Sequence, residues 1–335
     1  MYLLTESEKT EALFSVMALS KGAKKAYKKA FKAKQKKRRG HWLLIQKGDC
    51  AKEVASKLFT QFALVVLIGC ILILANELRL SLSTKFLNSS LQDLYYTYIE
   101  PGDNGGKLLD SAEQLLEINP DTVGWVHIEG TNVSLPVVQK TTKDGNDYYL
   151  KVAFDGSSNK AGTVFMDRRN VINAHERSDN LILYGHNQKD KSMFGDLANY
   201  KKNLAYYSEH PIIRFSSNYR TDDYKIFAYF VTPVLESQTA DGVIFEYHNK
   251  LNFKDKSEYN EFIENIMLRT QIITDVDVQY GDEFLTLSTC SNEFEPSRFV
   301  VFARKVRKDE DSAVDVSLAY LNSNAKEPDW DVIYK

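Results

Sequence analysis

The run Thr286-Leu287-Ser288-Thr289-Cys290 ends a stretch of apolar and β-branched residues that begins at Glu283. Such a composition is typical of a β-strand, and the segment Ser291–Ser297 separates it from a second stretch of the same kind, Phe299–Val306. Cys290 is therefore predicted at the point where a strand ends and a loop begins. A thiol at such a point is exposed on a rigid support, although a cysteine on an apolar strand is commonly just a small buried residue.

Short β-type runs divided by turn residues occupy most of the chain between residues 118 and 307. We predict eight strands at Gly124–Ile128, Leu135–Val138, Gly162–Met166, Asn180–Tyr184, Ile212–Phe215, Tyr224–Thr232, Glu283–Thr289 and Phe299–Val306. This number and spacing indicate a closed barrel or a sandwich. Two helices interrupt the series: a short one at Met193–Ala198, and an amphipathic one at Ser257–Thr270, with Asp255 and Glu258 placed as a capping box.

The N-terminal part of the chain differs from the rest in its charge. Residues 1–57 contain fifteen Lys or Arg against five Asp or Glu, and residues 58–75 (LFTQFALVVLIGCILILA) carry no formal charge. Helical residues rise ~1.5 Å each, so this stretch covers about 27 Å, just enough to cross the apolar core of a bilayer. We predict a transmembrane signal anchor at 58–75, and the positive-inside rule places the basic arm, residues 1–57, in the cytoplasm.

The remaining residues are then extracellular, on a single-pass protein of the cell membrane. Residues 76–117 have a helical pattern, 118–307 are predicted to form the β domain, and 308–335 form a polar tail. Two late aromatic residues of this tail, Trp330 and Tyr334, are expected to pack back onto the domain. The basic arm is expected to be attracted to anionic lipid rather than to nucleic acid, because it has few aromatic residues and no recognisable nucleic-acid motif.

The three cysteines fall in three different regions. Cys50 lies in the basic arm, Cys70 in the predicted span and Cys290 in the extracellular part. Cys290 therefore has no partner for an internal disulfide, and it is a buried residue, an intermolecular partner or a nucleophile. The run Leu67-Ile68-Gly69-Cys70 resembles a lipoprotein processing box, but it lies inside the apolar stretch rather than at its end, so lipidation of Cys70 stays an open alternative.

A thiol nucleophile needs a proton donor for the leaving amine and a donor for the oxyanion that forms at the attacked carbonyl. His186 ends the run Leu183-Tyr184-Gly185-His186, a strand end of the same kind as that of Cys290. Arg298 opens the strand after Cys290, so the two lie at the same end if these strands pair. Taken singly, such residues are more often a loop histidine and an edge charge. The other histidines lack metal-ligand spacing, and we predict neither a metal nor a cofactor.

Together these residues match a known pattern: the chain resembles the class B sortases, the membrane-anchored cysteine transpeptidases of Gram-positive bacteria. The matching segments, all within residues 118–307, are Thr286–Cys290, Tyr184–Asn187, Ser192–Leu197, Gly124-Trp125, Pro136–Gln139, Tyr148–Leu150 and Gly162–Asp167. The helical N-terminal region and the helix Ser257–Thr270 before the nucleophile strand suggest class B in particular. The resemblance implies a mainly β fold, an eight-stranded sortase barrel with peripheral helices.

The resemblance also implies roles for individual residues. Cys290 is the expected nucleophile, His186 the general acid and base, and Arg298 the residue that holds the oxyanion and orients the substrate. Arg304, on the same strand, is a weaker candidate for the last role. The expected substrate-binding residues are Ser288, Thr289 and Asn187.

At one position the chain departs from the pattern of some relatives. Where they carry an acid two residues after the cysteine, this chain has Asn292, followed by Glu293. We therefore assign no acidic third member to the site.

The implied reaction is cleavage of a C-terminal sorting motif of secreted proteins, of the NPxTx kind, after its threonine. An amine of a peptidoglycan precursor would then receive the acyl group and join the protein to the cell wall. A pilin lysine is an alternative acceptor. A thiol hydrolase or protease with the same residues, and a non-catalytic surface adhesion or sensor domain, are the other interpretations.

Overall fold

The computed structural model describes residues 21–39, 43–46, 49–98, 105–141 and 145–335, and the chain divides into two compact units, residues 1–79 and 80–335. The first twenty residues of the basic arm lie outside the described residues.

Two helices dominate the described N-terminal part. Helix α1 spans Lys21–Arg39, and helix α2 spans Ala51–Tyr98, a length of 48 residues. The predicted span 58–75 lies within α2, which is long and apolar enough to cross a membrane and whose apolar window is not buried within the structure. The sequence predicts a boundary after residue 75, whereas α2 continues through it, since residues 51–98 contain no proline to end a helix.

The predicted eight-stranded closed barrel is confirmed. Its strands are β1 Thr122–His127, β2 Ser134–Val138, β3 Val164–Met166, β4 Asn180–Tyr184, β5 Ile212–Ser217, β6 Thr221–Pro233, β8 Phe284–Cys290 and β9 Ser297–Lys305. They close in the order β1-β2-β3-β4-β8-β9-β6-β5, and the short strands β7 Ile272–Ile273 and β10 Tyr320–Leu321 pair separately. The pairs β2–β3 and β4–β8 are parallel, and the other neighbours in the barrel are antiparallel.

Shorter helices decorate the barrel. They are α3 Asp110–Ile118, α4 Leu204–Glu209, α5 Lys256–Arg269 and α6 Trp330–Ile333. The predicted inserted helix is α5, and the side chain of Asp255 caps it by accepting from the main-chain N–H of Glu258 at 2.9 Å. The short helix predicted at Met193–Ala198 is instead a 3₁₀ turn at Gly195–Asn199.

Apolar side chains pack on both sides of the barrel wall. The interior cluster, where inward-facing residues of successive strands meet, includes Val126, Leu183, Phe215, Leu287 and Val301. On the outside, α5 buries its apolar face against Phe284 and Phe302 of β8 and β9. Strand β8 is therefore covered on both faces, and Cys290 at its end is the one exposed residue of the strand.

The polar tail packs back onto the barrel, as the sequence predicts. The ring of Trp330 lies 5.6 Å from that of Phe294. Farther up the tail, Glu310 receives hydrogen bonds of 2.6 and 2.7 Å from the fully buried Arg304 and one of 2.8 Å from Lys225. The hydrogen bonds from Arg304 are the main cause that holds the pKa of Glu310 far below its ordinary range. This carboxylate neutralises a guanidinium that has no access to water.

We predict that Glu310→Gln lowers the free energy of unfolding by about 3 kcal/mol, because it removes the nearer counter-charge of the buried Arg304 and leaves only Asp277, at 3.5 Å. Since folding lowers the pKa of Glu310, its contribution is present above the ordinary carboxyl pKa and is lost as the pH falls through the lowered value. The difference in the free energy of unfolding between wild type and variant should therefore become smaller towards low pH. Urea denaturation over a pH series measures both effects.

The control for this prediction is Glu264→Gln, on the exposed face of α5, which should change stability by less than about 0.5 kcal/mol. Equal stabilities of Glu310→Gln and wild type at neutral pH would contradict the prediction.

Candidate active site

Two parallel strands bring His186 and Cys290 to one edge of the barrel. Strands β4 and β8 lie side by side, and parallel neighbours end at the same edge. The contact continues past the end of β4, because Thr289 Oγ1 donates to the carbonyl oxygen of Gly185 at 2.7 Å. His186 follows Gly185 and Cys290 follows Thr289, so both residues lie at this edge.

Arg298 is the cross-strand partner of Cys290. Strands β8 and β9 are antiparallel with these two residues paired, and directly opposed residues point to the same side of a sheet. Nη1 of the guanidinium lies 3.5 Å from the sulfur and donates to the carbonyl of Ser297 at 3.1 Å. The two strands pair, as the sequence argument for placing Arg298 beside Cys290 required. The rival Arg304 lies towards the other end of β9, buried and bonded to Glu310.

The main chain holds one ring nitrogen of His186. Its Nε2 lies 2.8 Å from the carbonyl oxygen of Leu150. A carbonyl only accepts, so Nε2 carries a proton, and in the neutral imidazole the lone pair is on Nδ1. Gly162 makes room for this contact, because its φ is +63° and a Cβ there would lie 2.8 Å from the same carbonyl oxygen. Nδ1 is therefore the nitrogen that can accept a proton.

The three residues predicted to bind substrate all have partners within the protein. Asn187 Nδ2 donates to the main-chain carbonyl of Cys290 at 2.9 Å. The hydroxyl of Ser288 lies 2.7 Å from that of Tyr247, and Thr289 bonds the loop after β4 as described above. Ser288 and Thr289 are both buried. These contacts hold the end of β8 in place, and direct contact of the three side chains with substrate stays a prediction.

Two buried groups beneath the site were not found from the sequence. Burial raises the pKa of Tyr247 to about 12, so at neutral pH its hydroxyl is protonated. Asp167 accepts from Tyr184 at 3.0 Å and from Arg169 in a bidentate pair at 2.9 Å. Burial opposes the charge of Asp167, but the hydrogen bonds from Arg169 outweigh it and lower the pKa. Asp167 ends a segment that carries the family resemblance, whereas an isolated loop tyrosine offers no pattern to detect.

The acid near the thiol is engaged by a lysine. Glu293 Oε1 lies 2.5 Å from Lys201 Nζ, which also donates to Ser291 Oγ at 3.1 Å. We therefore leave Glu293 without a catalytic role.

An exposed thiol, an imidazole with an acceptor nitrogen and a guanidinium thus meet at one edge of the barrel. A thiol can form an acyl intermediate, an imidazole can move the protons, and a cationic donor can stabilise the oxyanion. This combination suits acyl transfer.

Comparison with known proteins agrees with the fold and with this chemistry. Residues 126–306 match the family model of the sortase domain. The chain is 32% identical to sortase B of Staphylococcus aureus (strain NCTC 8325 / PS 47) over 197 residues, which are 58% of this chain and 74% of that protein. It is 31% identical to sortase B of Listeria monocytogenes over 205 residues, which are 61% of this chain and 77% of that protein.

Solved structures give the same result. Sortase B from Bacillus anthracis in complex with AAEK1 superposes with a TM-score of 0.58 at 28% identity, covering 69% of this chain and 99% of that one. A Staphylococcus aureus sortase B–substrate complex superposes with a TM-score of 0.57 at 27% identity, covering 68% and 98%.

The chain belongs to the sortase family, and its relatives place it in class B. It is a sortase-type cysteine transpeptidase, and the interpretation as a non-catalytic adhesion or sensor domain is thereby removed.

We predict that Thr289→Val lowers activity while the matched variant Thr286→Val does not. Both hydroxyls lie on β8 and donate one hydrogen bond of 2.7 Å, Thr289 to the carbonyl of Gly185 and Thr286 to the side chain of Asn180. Loss of either hydrogen bond should lower the free energy of unfolding by about 1–2 kcal/mol. Only Thr289→Val removes a bond to the residue before His186, where the main-chain bond from the Gly185 N–H to Ser288 O at 3.2 Å then remains alone. A base held less firmly should lower kcat about tenfold.

Turnover of a sorting-motif peptide, together with urea denaturation of both variants, measures these effects. Equal kcat values for the two variants would show that the Thr289 bond is purely structural.

Proposed function

We propose that Cys290, His186 and Arg298 carry out the two-step transpeptidation. The thiolate of Cys290 forms a bond to the carbonyl carbon of a threonine in the client protein, and the peptide bond after that threonine breaks. The His186 imidazolium gives its proton to the leaving amine, and the guanidinium of Arg298 stabilises the oxyanion. The observation that carries the proposal is the 3.5 Å contact between Arg298 Nη1 and Cys290 Sγ, on a strand pair whose neighbour β4 delivers His186.

The second step regenerates the enzyme. An incoming primary amine attacks the thioester carbon, His186 accepts its proton, a new amide forms and the thiolate of Cys290 leaves. In this scheme Nδ1 moves the proton in both steps, since Nε2 is bonded to Leu150.

We infer that the client carries a C-terminal motif of the NPxTx kind and that the acceptor is an amine of a peptidoglycan precursor, so that secreted proteins become anchored to the cell wall. Membership of class B supports an Asn-Pro start over a Leu-Pro start. A pilin lysine is the second candidate acceptor, because the chemistry requires only an unprotonated primary amine.

We also propose that α2 anchors the enzyme through residues 58–75, with the basic arm in the cytoplasm and the barrel outside the cell. The uncharged composition of this stretch and the excess of Lys and Arg before it support this orientation. The arrangement places the thiol on the side of the membrane where secreted clients emerge.

Cys290→Ala should abolish cleavage of a peptide with an Asn-Pro-x-Thr-x motif, because no other group in the proposed mechanism can form the acyl intermediate. Cys70→Ala, in the predicted span, is the matched control and should retain wild-type turnover. Mass spectrometry of the products, with and without an added oligoglycine amine, checks both the cleavage site and the acceptor.

A new amide product that appears only with the amine is the expected result. Cleavage by Cys290→Ala would refute the role of the thiol, whereas a hydrolysis product that the amine leaves unchanged would favour the thiol hydrolase.

The orientation can be tested with the native cysteines. In intact cells a membrane-impermeant maleimide should label Cys290, whereas Cys50 should react only after the membrane is permeabilised. Cys290→Ala should therefore abolish labelling of intact cells. Labelling of Cys50 without permeabilisation would reverse the proposed topology.

A further inference from the structure

The C-terminal tail contacts the loop that connects the nucleophile to the arginine. The matched sortase domain ends at residue 306, so the tail residues 308–335 lie beyond it. They nevertheless reach the loop Ser291–Ser297, which joins Cys290 to the strand of Arg298.

Helix α6 supplies the contacts on one side of this loop. The ring of Trp330 meets that of Phe294 edge-to-face at 5.6 Å, and Tyr334 stacks on Trp330 at 6.0 Å. The hydroxyl of Tyr334 donates to the main-chain carbonyl of Glu293 at 2.7 Å. Ile333, on the same turn, packs against the interior cluster of the barrel. The helix is thus fixed to the barrel, and its end contacts two consecutive loop residues, Glu293 and Phe294.

Lys201 supplies the contacts on the other side. It follows the 3₁₀ turn Gly195–Asn199, and its ammonium donates hydrogen bonds to the side chains of Glu293 and Ser291. The same ammonium lies 5.0 Å from the centre of the Phe299 ring. Glu293 is therefore held through its side chain by Lys201 and through its carbonyl by Tyr334.

Cys290 and Arg298 flank this loop on either side, so a change in the position of the loop affects both residues directly. Phe294 is 7% exposed, and its carbonyl accepts from the hydroxyl of Ser297, the residue before Arg298. A shift of Phe294 would move Ser297 and with it the guanidinium, whose Nη1 lies 3.5 Å from the sulfur. Displacements of about 1 Å at reacting groups can cost a hundredfold in rate.

We propose that Trp330 and Tyr334 are positioning residues for transpeptidation: the tail straps the loop Ser291–Ser297 and thereby sets the geometry of Cys290 and Arg298. This inference rests on the proposed roles of those two residues. The contacts that carry the proposal are made to the loop, so their loss should affect kcat more than the KM for the sorting peptide.

The test compares three variants of the full-length protein in detergent. Trp330→Ala removes the ring that covers Phe294 and should lower kcat about tenfold. Tyr334→Phe removes a single hydrogen bond and should lower it about fivefold. Tyr320→Ala is the matched control: it truncates another aromatic of the same tail, 58% exposed and on β10, and should leave kcat unchanged.

A second measurement separates positioning from stability. The rate of alkylation of Cys290 is followed against pH at a temperature well below the melting transition of every variant. We expect Trp330→Ala to alter this pH profile, because the distance between the thiol and Arg298 changes in the folded protein. A merely structural tail would lower the melting temperature and leave the profile unchanged.

Wild-type kcat and an unchanged alkylation profile in Trp330→Ala would overturn the proposal that the tail positions the loop, whatever the melting temperature of the variant. Failure of the proposed function would look different, since Cys290→Ala would then retain activity. The two failures can therefore be told apart in the same set of assays.

Discussion

The parallel pairing of β4 with β8 is the contact on which the site depends. Strand β8 carries Cys290, and β4 leads to His186, and the two residues share an edge only because the strands run in the same direction. With β4 reversed, His186 would lie about 17 Å away, at the other end of a five-residue strand. The antiparallel strand β9 then begins where β8 ends, and it adds Arg298 at the same edge.

This arrangement has a cost in folding. Residues 185–283, with β5, β6 and α5 among them, separate β4 from β8 along the chain. Parallel strands need such a crossover connection, and a contact between distant segments forms slowly because a long loop must close first. The burial of β8 on both faces offsets that cost, since apolar packing inside and outside the wall keeps the strand in register. The same packing places Cys290 at the end of a strand that is covered on both faces.

Much of this fold could be predicted from the sequence, because strands and helices leave local patterns. The run that ends at Cys290 was predicted as a strand from its composition, and the charge pattern located an apolar segment within α2. Contacts between distant segments are harder to predict, because they leave no local pattern in the sequence. Arg298 and Arg304 are equivalent by composition, and only the register of β9 shows that one meets the thiol while the other is buried with Glu310. Lys201 has no local pattern, since its role depends on a loop ninety residues further along the chain.

The hydrogen bond from His186 to Leu150 has a consequence for how this enzyme tolerates change. The acceptor is a carbonyl of the main chain, so any residue at position 150 that keeps the backbone path supplies the same atom. The orientation of the imidazole thus depends on the backbone path at residue 150, and the Leu150 side chain contributes only through its packing against the neighbouring core. The orientation is vulnerable instead to length: one residue inserted into or deleted from the turn Gly145–Leu150 would present a different carbonyl, or none, to the ring. Among variants of this enzyme, the spacing of that turn should be constrained more tightly than the identity of its last residue.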